Sequence, residues 1–320
     1  MSEKAPEFRY FHRDMLSRPK RPYVIDRLPG MDAQMTYYAC TRGAWQDLMV
    51  ATTAQCMDEY DTDGVYLDTT VRPHACRNRL HGCGYVAPDG TLRSTYPVFA
   101  TRRLMKRLYT VVKSRKPDGI VDAHVYDCLN VPALAFSTSY WNGEQLPHRE
   151  FKTDALPLDR FRTEFMGHNL GVPADVLYYC LGDYDACAGL ALLHDVPVRS
   201  EGERDFAILS SIWRVREAFG CKDAEFIGYW KAGDLVKIEP QGCYASLWRH
   251  PTSGVLAAVA NLRREPADVR VTFDRQKLGL GPQMSAEDAR TGKPFQVDGN
   301  RLSLGLGPQG WTLVRIPLAR

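Results

Sequence analysis

A chain of 320 residues that is 44% hydrophobic and 25% charged has enough apolar material for a large core, in one domain or two. Its formal net charge of +3 is small for that length and no basic run is interleaved with aromatics, so neither nucleic acid nor a membrane surface is an expected partner. No apolar stretch nears the roughly 18 residues of a spanning helix, residues 1–30 hold no apolar signal core, and nine scattered cysteines read as free, buried thiols of a reducing compartment, so a cytoplasmic protein is expected.

In chain order, residues 1–30 read as an N-terminal arm, with no periodicity through Arg18-Pro19-Lys20-Arg21-Pro22. Residues 35–41 form a predicted strand. Residues 44–60 form a helix with Trp45, Leu48, Met49, Ala51, Thr52 and Cys56 at a broken 3.6 period. The turn-like Asp61-Thr62-Asp63-Gly64 then leads into Val65-Tyr66-Leu67, a short apolar run that stops at Asp68. A run of this length bounded by turn chemistry suits a buried strand of a parallel sheet. Asp68 falls where that strand meets its C-terminal loop, the face on which α/β barrels build their chemistry. An Asp there also serves simply as a loop cap.

The connection from Thr69 to Thr95 is long and rich in Gly, Pro, His, Cys and Arg, and loops of that length usually have a function. Residues 96–115 form an amphipathic helix, its apolar face including Val98, Phe99, Leu104 and Leu108, with Arg102, Arg103, Lys106 and Arg107 read as a solvated face. Strands follow at 120–125, 133–140 and 175–180, with a helix at 158–167, and 190–198 is a strand or a loop. Residues 203–219 form a clear helix whose core side is marked by Phe206, Leu209, Ile212, Trp213 and 215–219. Strands alternating with helices argue for a parallel sheet, open or closed. From Leu235 onward only short strands separated by Gly, Pro and Asp turns remain, at 235–238, 244–248, 255–261, 269–273 and 311–316, which suits a small all-β sandwich.

Several segments together resemble a known group. Asp63-Gly64-Val65-Tyr66-Leu67-Asp68 is similar to the strand end of several (β/α)8 glycosidase groups. The segments Cys76-Arg77-Asn78, His81-Gly82-Cys83-Gly84-Tyr85 and Asp89-Gly90 resemble the glycosidase-like proteins grouped beside glycoside hydrolase family 123. So do a helix with Arg102, Arg103 and Tyr109, a strand bearing His124, and Gly143-Glu144. The resemblance covers about residues 35–320. It implies an α/β fold, a (β/α)8 TIM-type barrel, complete or partial, followed by a small all-β sandwich. The expected domains are an arm over 1–30, a barrel catalytic region over 31–230 and a sandwich over 231–320. Those relatives are longer, so the chain reads as an N-terminally truncated form, with five or six barrel strands in sight. A missing N-terminal region or a second copy is then an expected associate. Family 123 enzymes use an adjacent Asp-Glu pair with the acetamido group of their substrate; here Thr69 follows Asp68, so that mechanism is not expected.

Glycoside hydrolysis needs two carboxyl groups flanking the scissile bond. Asp68, as nucleophile or base, and Glu144, as acid/base, are the expected pair, since both follow predicted strands and so share one barrel face. Asp122, Asp127, Asp183, Asp185 and Asp195 compete for these roles. Tyr66, Tyr140 and Trp141 are candidates for a sugar-stacking wall, His124 for substrate binding, and Arg72 either for holding substrate or for pairing with Asp68. A carbohydrate substrate and no cofactor are expected. His74, Cys76, His81 and Cys83 supply a rival set. Two His and two Cys suit zinc, but the His-x-Cys spacing is not that of a standard knuckle, and a Cys76–Cys83 disulfide is the oxidised alternative; no metal is assigned. The remaining reading is a non-catalytic carbohydrate-binding protein on a truncated barrel.

Overall fold

The computed structural model describes residues 1–25, 30, 32–125, 129–144, 156–167, 170–177, 183–200 and 202–318. The chain divides into two compact units, Met1–Trp141 with Leu170–Pro173, and Asn142–Asn169 with Ala174–Arg320. No described helix is long and apolar enough to cross a membrane.

The first unit runs α1 (Pro6–Met15), β1 (Pro22–Ile25), β2 (Gln34–Tyr37), α2 (Trp45–Tyr60), β3 (Gly64–Leu67), β4 (Tyr85–Val86), β5 (Leu92–Arg93), α3 (Val98–Arg115), β6 (Ile120–His124), α4 (Val131–Leu134) and β7 (Ser139–Asn142), whose last residue opens the second unit. The stretch expected as an aperiodic arm instead holds a helix and a strand: α1 starts on Pro6, where no amide hydrogen is needed, and buries Met15. Strands β1 and β2 pair antiparallel from Pro22↔Tyr37 to Ile25↔Gln34. Helix α3 buries Thr101, Leu104, Met105, Leu108 and Val112 at helical spacing, while Phe99 points out to solvent. Its basic face is not merely solvated. Arg103 and Arg107 each donate to Oε1 of the buried Gln46 at 3.2 Å, and Arg107 pairs with Asp47 at 2.7 Å, which ties α3 to α2.

Strands β3, β6 and β7 form a parallel ladder with Tyr66↔Asp122, Leu67↔Ala123, Asp122↔Ser139 and His124↔Trp141. Side chains alternate along a strand, and register neighbours in a parallel ladder share a face. One face carries Leu67, Val121, Ala123 and Tyr140, all buried. The other carries Tyr66, Asp68, Asp122, His124, Ser139 and Trp141, which are polar or aromatic. The strand expected over 133–140 is in fact the short helix α4, with Pro132 in its first turn, followed by β7 from Ser139.

The second unit runs α5 (Leu158–Glu164), β8 (Ala174–Leu177), α6 (Tyr184–Leu192), β9 (Val198–Arg199), α7 (Glu203–Phe219), β10 (Glu225–Ile227), β11 (Val236–Glu239), β12 (Cys243–His250), β13 (Gly254–Asn261), β14 (Ala267–Phe273), α8 (Arg275–Leu278), β15 (Glu287–Asp288), β16 (Val297–Asp298), β17 (Arg301–Leu306) and β18 (Trp311–Ile316). Strands β8 and β9 pair in parallel. The described parallel strands thus make a ladder of three in the first unit and a pair in the second, and among the described residues an eight-stranded closed barrel is not formed. The region 190–198 is mostly the end of α6 and a turn rather than a strand. Helix α6 is capped by the Asp183 carboxylate, which accepts from the Asp185 amide at 2.9 Å.

Two antiparallel sheets, ordered β10-β12-β13-β18-β15 and β11-β14-β17-β16, form a sandwich. Strand β13 is buried along its whole length because both its faces are covered. Val255, Ala257 and Val259 share a core with Val269, Val271 and Phe273 of the other sheet. Leu256, Ala258 and Ala260 share a second core with Leu190 of α6 and Leu209, Ile212 and Phe219 of α7. A strand covered on both faces need not alternate, which explains the run Gly-Val-Leu-Ala-Ala-Val-Ala. Phe206 and Trp213, expected on the core side of α7, are exposed.

Candidate active site

The polar face of the β3-β6-β7 ladder ends in a row of polar and aromatic side chains. Asp68 follows the last residue of β3, and Thr69 turns the chain away through a left-handed conformation at φ 53°. His124 ends β6 and is buried, and its Nδ1 lies 2.7 Å from Asp68 Oδ1. An ionised carboxylate only accepts, so Nδ1 carries the proton and donates. This bond, with a smaller contribution from the Thr69 amide, holds the Asp68 carboxyl below the usual carboxylate range against the opposing effect of burial. The Asp68 side chain keeps 62% of its surface exposed, so it is an anion open to a ligand.

Tyr66, two residues before Asp68 on the same face, is 45% exposed. Its ring packs on Trp141 with centroids 4.4 Å apart at 36°, and lies 6.2 Å from the His124 ring. Tyr66 and Asp68 open onto a cleft of about 260 Å³ lined also by Tyr23, Tyr38, Arg72 and His74. His74 packs at a tilt on Tyr38, ring centroids 4.0 Å apart, and Tyr38 likewise on Tyr23 at 5.3 Å. Small-ligand pockets run about 300–1,000 Å³, so this cleft is sized for one small polar ring. Two larger clefts lie in the second unit, one beside Lys237 and Arg275 of the sandwich and one beside Arg162 and Trp230. Neither sits at the C-terminal end of a parallel strand.

Of the residues expected at the site, Asp68, Tyr66, His124, Trp141 and Arg72 gather in the first unit. Tyr140 does not join them: it is fully buried on the opposite face of β7. Glu144 follows β7 in the second unit and is half-buried. It is positioned by Gly143, whose φ is 134° and where a Cβ would lie 2.6 Å from the Leu177 carbonyl oxygen, so only glycine fits.

The competing carboxylates have structural duties. Asp122 is buried, accepts from Ser139 Oγ at 2.7 Å, and burial raises its carboxyl above the usual range. Asp183 caps α6, Asp185 accepts from Trp311 Nε1 at 2.9 Å, and Asp195 pairs with Arg216 at 2.6 Å. Asp127 lies outside the described residues. Tyr23 and Tyr38 were missed by the sequence reading; the doublet Tyr37-Tyr38 at a strand end was the available signal. Of the rival His/Cys set, Cys76, His81 and Cys83 come together, His74 turns away to Tyr38, and Cys40 takes its place.

Residues 209–302 match the family model described as glycoside hydrolase 123, C-terminal domain. No curated protein matches the chain in sequence. Among solved structures, the chain resembles a GH27 β-L-arabinopyranosidase from Geobacillus stearothermophilus, with 12% identity and a TM-score of 0.55 over 96% of this chain and 68% of that one. It also resembles an alpha-amylase from Geobacillus thermoleovorans, with 11% identity and a TM-score of 0.57 over 99% of this chain and 75% of that one. A third is a noncanonic maltogenic alpha-amylase from Thermotoga neapolitana, with 11% identity and a TM-score of 0.51 over 90% and 69% of the two chains. At such identities the likeness speaks for the fold. The C-terminal part of the chain is similar to the C-terminal domain of glycoside hydrolase family 123, and the whole shares its mixed α/β fold with solved glycoside hydrolases.

Proposed function

We propose that this chain is a glycoside hydrolase that holds one sugar ring in the cleft at the end of β3 and cleaves its O-glycosidic bond. Asp68 is the nucleophile or base and Glu144 the acid/base, on a (β/α)8-type barrel that is complete or partial. The observation that carries this reading is Asp68 itself: a solvent-open carboxylate kept ionised by a buried histidine, beside an aromatic wall. A nucleophile or base must be deprotonated at the working pH, and the His124 bond favours that form. Tyr66 offers a ring to the apolar side of a pyranose, and Trp141 packs against that ring. Arg72 and His74 line the same cleft as hydroxyl-binding groups. The reaction calls for no cofactor, because one carboxyl group protonates the leaving oxygen and the proton of the attacking water goes to a carboxylate, so two carboxyl groups and a water complete the hydrolysis.

The second reading is a carbohydrate-binding protein without turnover. The aromatic cleft supports it, because Tyr66, Tyr38 and Tyr23 need no second carboxylate to hold a sugar. A panel of aryl α- and β-glycosides, assayed for aglycone release by the native chain, separates the two. Release with saturation kinetics supports the hydrolase. A folded chain that quenches its tryptophan fluorescence with the free sugar yet releases nothing supports the binder.

A further inference from the structure

The first unit contains a second cluster that the sugar chemistry does not use. Cys40, Cys76, His81 and Cys83 bring one ligand atom each to within 4.8 Å of all the others. The three cysteines are fully buried and form a small core of their own, and His81 is half-buried. They come from three places in the chain: Cys40 from the segment after β2, Cys76 from a bridge to Thr95, and His81 and Cys83 from either side of the turn at Gly82.

We propose that these four residues form a structural zinc site of the Cys₃His type. The distances suit a tetrahedron. With Zn–S bonds of about 2.3 Å, neighbouring sulfur ligands lie about 3.8 Å apart. Cys40 Sγ is 3.8 Å from Cys83 Sγ, and Cys76 Sγ is 3.8 Å from His81 Nδ1. A disulfide would need sulfurs at about 2.05 Å, and these cysteines are free.

The surroundings point the same way. His81 Nε2 lies 2.8 Å from the Asp14 carbonyl oxygen. A carbonyl only accepts, so Nε2 carries the proton and Nδ1 turns its lone pair toward the sulfurs. Zinc-binding histidines are oriented in this way by a backbone carbonyl. The Asn78 amide donates to Cys76 Sγ at 3.4 Å, the kind of contact that stabilises a thiolate, and the Asn78 side chain donates to the Arg13 carbonyl at 3.0 Å. At Gly43 a Cβ would lie 2.3 Å from the Asp14 carbonyl oxygen and 3.0 Å from His81 Nε2, so any larger residue would push this bond apart.

With four protein ligands the site is closed, which marks a structural rather than a catalytic zinc. Soft thiolates also disfavour magnesium or calcium. Its task follows from the loop it holds. Residues 69–95 contain only the two-residue strands β4 and β5 and one 3₁₀ turn, and they carry Arg72 and His74 of the cleft. The metal ties that loop to the segment after β2 and to the end of α1, in place of an apolar core.

The test uses the full chain, purified under reducing conditions, with metal measured by mass spectrometry. The expected result is about one zinc per chain that survives dialysis, falls away in Cys40→Ser and Cys83→Ser, and persists in Cys187→Ser, a buried cysteine of α6 outside the cluster. Cobalt(II) added to the stripped chain gives a thiolate-to-cobalt charge-transfer band, which each Cys→Ser change lowers by about a third. His81→Cys keeps the metal as a Cys₄ site. The proposal is overturned if the folded, reduced native chain holds no zinc and gives no cobalt–thiolate band. It also fails if a Cys40→Ser/Cys83→Ser double variant keeps full zinc content, or if a disulfide maps within the three cysteines. The native-chain measurements decide the matter even if the variants do not fold.

Discussion

Asp68 Oδ1 and His124 Nδ1 stand 2.7 Å apart, although 55 residues separate the two in the chain. The contact arises because β3 and β6 pair in parallel with Leu67 opposite Ala123, so the next residue of each strand meets its counterpart. The histidine is buried and the carboxylate is not, so the bond is anchored on the protein side and open on the ligand side.

The Asp68 carboxyl is held below its ordinary range chiefly by this bond. A depressed carboxyl pKa stabilises the fold above the unfolded-state value and loses that contribution as pH falls through the folded value, so the window lies below about pH 4. In His124→Phe, an NMR titration of the Asp68 carboxyl carbon should give a higher pKa than in the native chain. An unchanged titration would mean that the bond does not govern Asp68.

His194 gives a pH effect of the same sign at higher pH. It is buried, its Nδ1 donates to the Leu190 carbonyl at 2.7 Å, its ring packs at a tilt on Phe161, and burial pushes its pKa down to about 4. The unfolded chain therefore binds the extra proton first, between about pH 6.5 and pH 4. Stability should fall across that window as pH drops, by an amount on the order of 2–3 kcal/mol. Urea denaturation of the native chain and of His194→Gln at a series of pH values checks this. The variant should lose most of the slope, and equal slopes would remove His194 as its source.

The sandwich core offers a stability prediction. Leu256 is fully buried in the core shared with α6 and α7. Leu256→Ala should cost about 2–5 kcal/mol, read as a lower denaturation midpoint. Arg270→Ala, at an exposed position on β14, should change it by less than about 0.5 kcal/mol.

The aromatic wall can be tested apart from the chemistry. Trp141→Ala removes the partner that holds the Tyr66 ring at 4.4 Å. Sugar binding, followed as KM or as a dissociation constant, should weaken by roughly tenfold, about 1.4 kcal/mol, while turnover at saturation changes less. A loss confined to turnover would place Trp141 outside the binding wall.

Local periodicity made much of the fold legible. Strand Gly64–Leu67 and helix Glu203–Phe219 stand where their patterns put them, because a short apolar run between turns and a 3.6-residue stripe are both set by nearby residues. The segment 133–140 misled because Ala-Leu-Ala-Phe suits either element, and the proline in the turn before it opened a helix. Helix α1 was missed because the decapeptide Pro6–Met15 is short and mostly polar in composition, although its few apolar residues do fall on one side of the helix. At the site, Asp68 could be seen from its place at a strand end, and His124 from its strand. The grouping of Cys40 with Cys76 and Cys83 could not, since it joins segments 36 and 43 residues apart and no spacing within either segment encodes it.

The central claim is that Asp68 and Glu144 carry out glycoside cleavage. Its most direct test is the rate of aryl glycoside hydrolysis by the native chain beside Asp68→Asn and Glu144→Gln, with circular dichroism to establish that each variant is folded. The account predicts that the native chain turns over at least one glycoside and that each variant loses about 10²-fold or more in rate. An active native chain whose two folded variants keep their rates would contradict the assignment of both carboxylates.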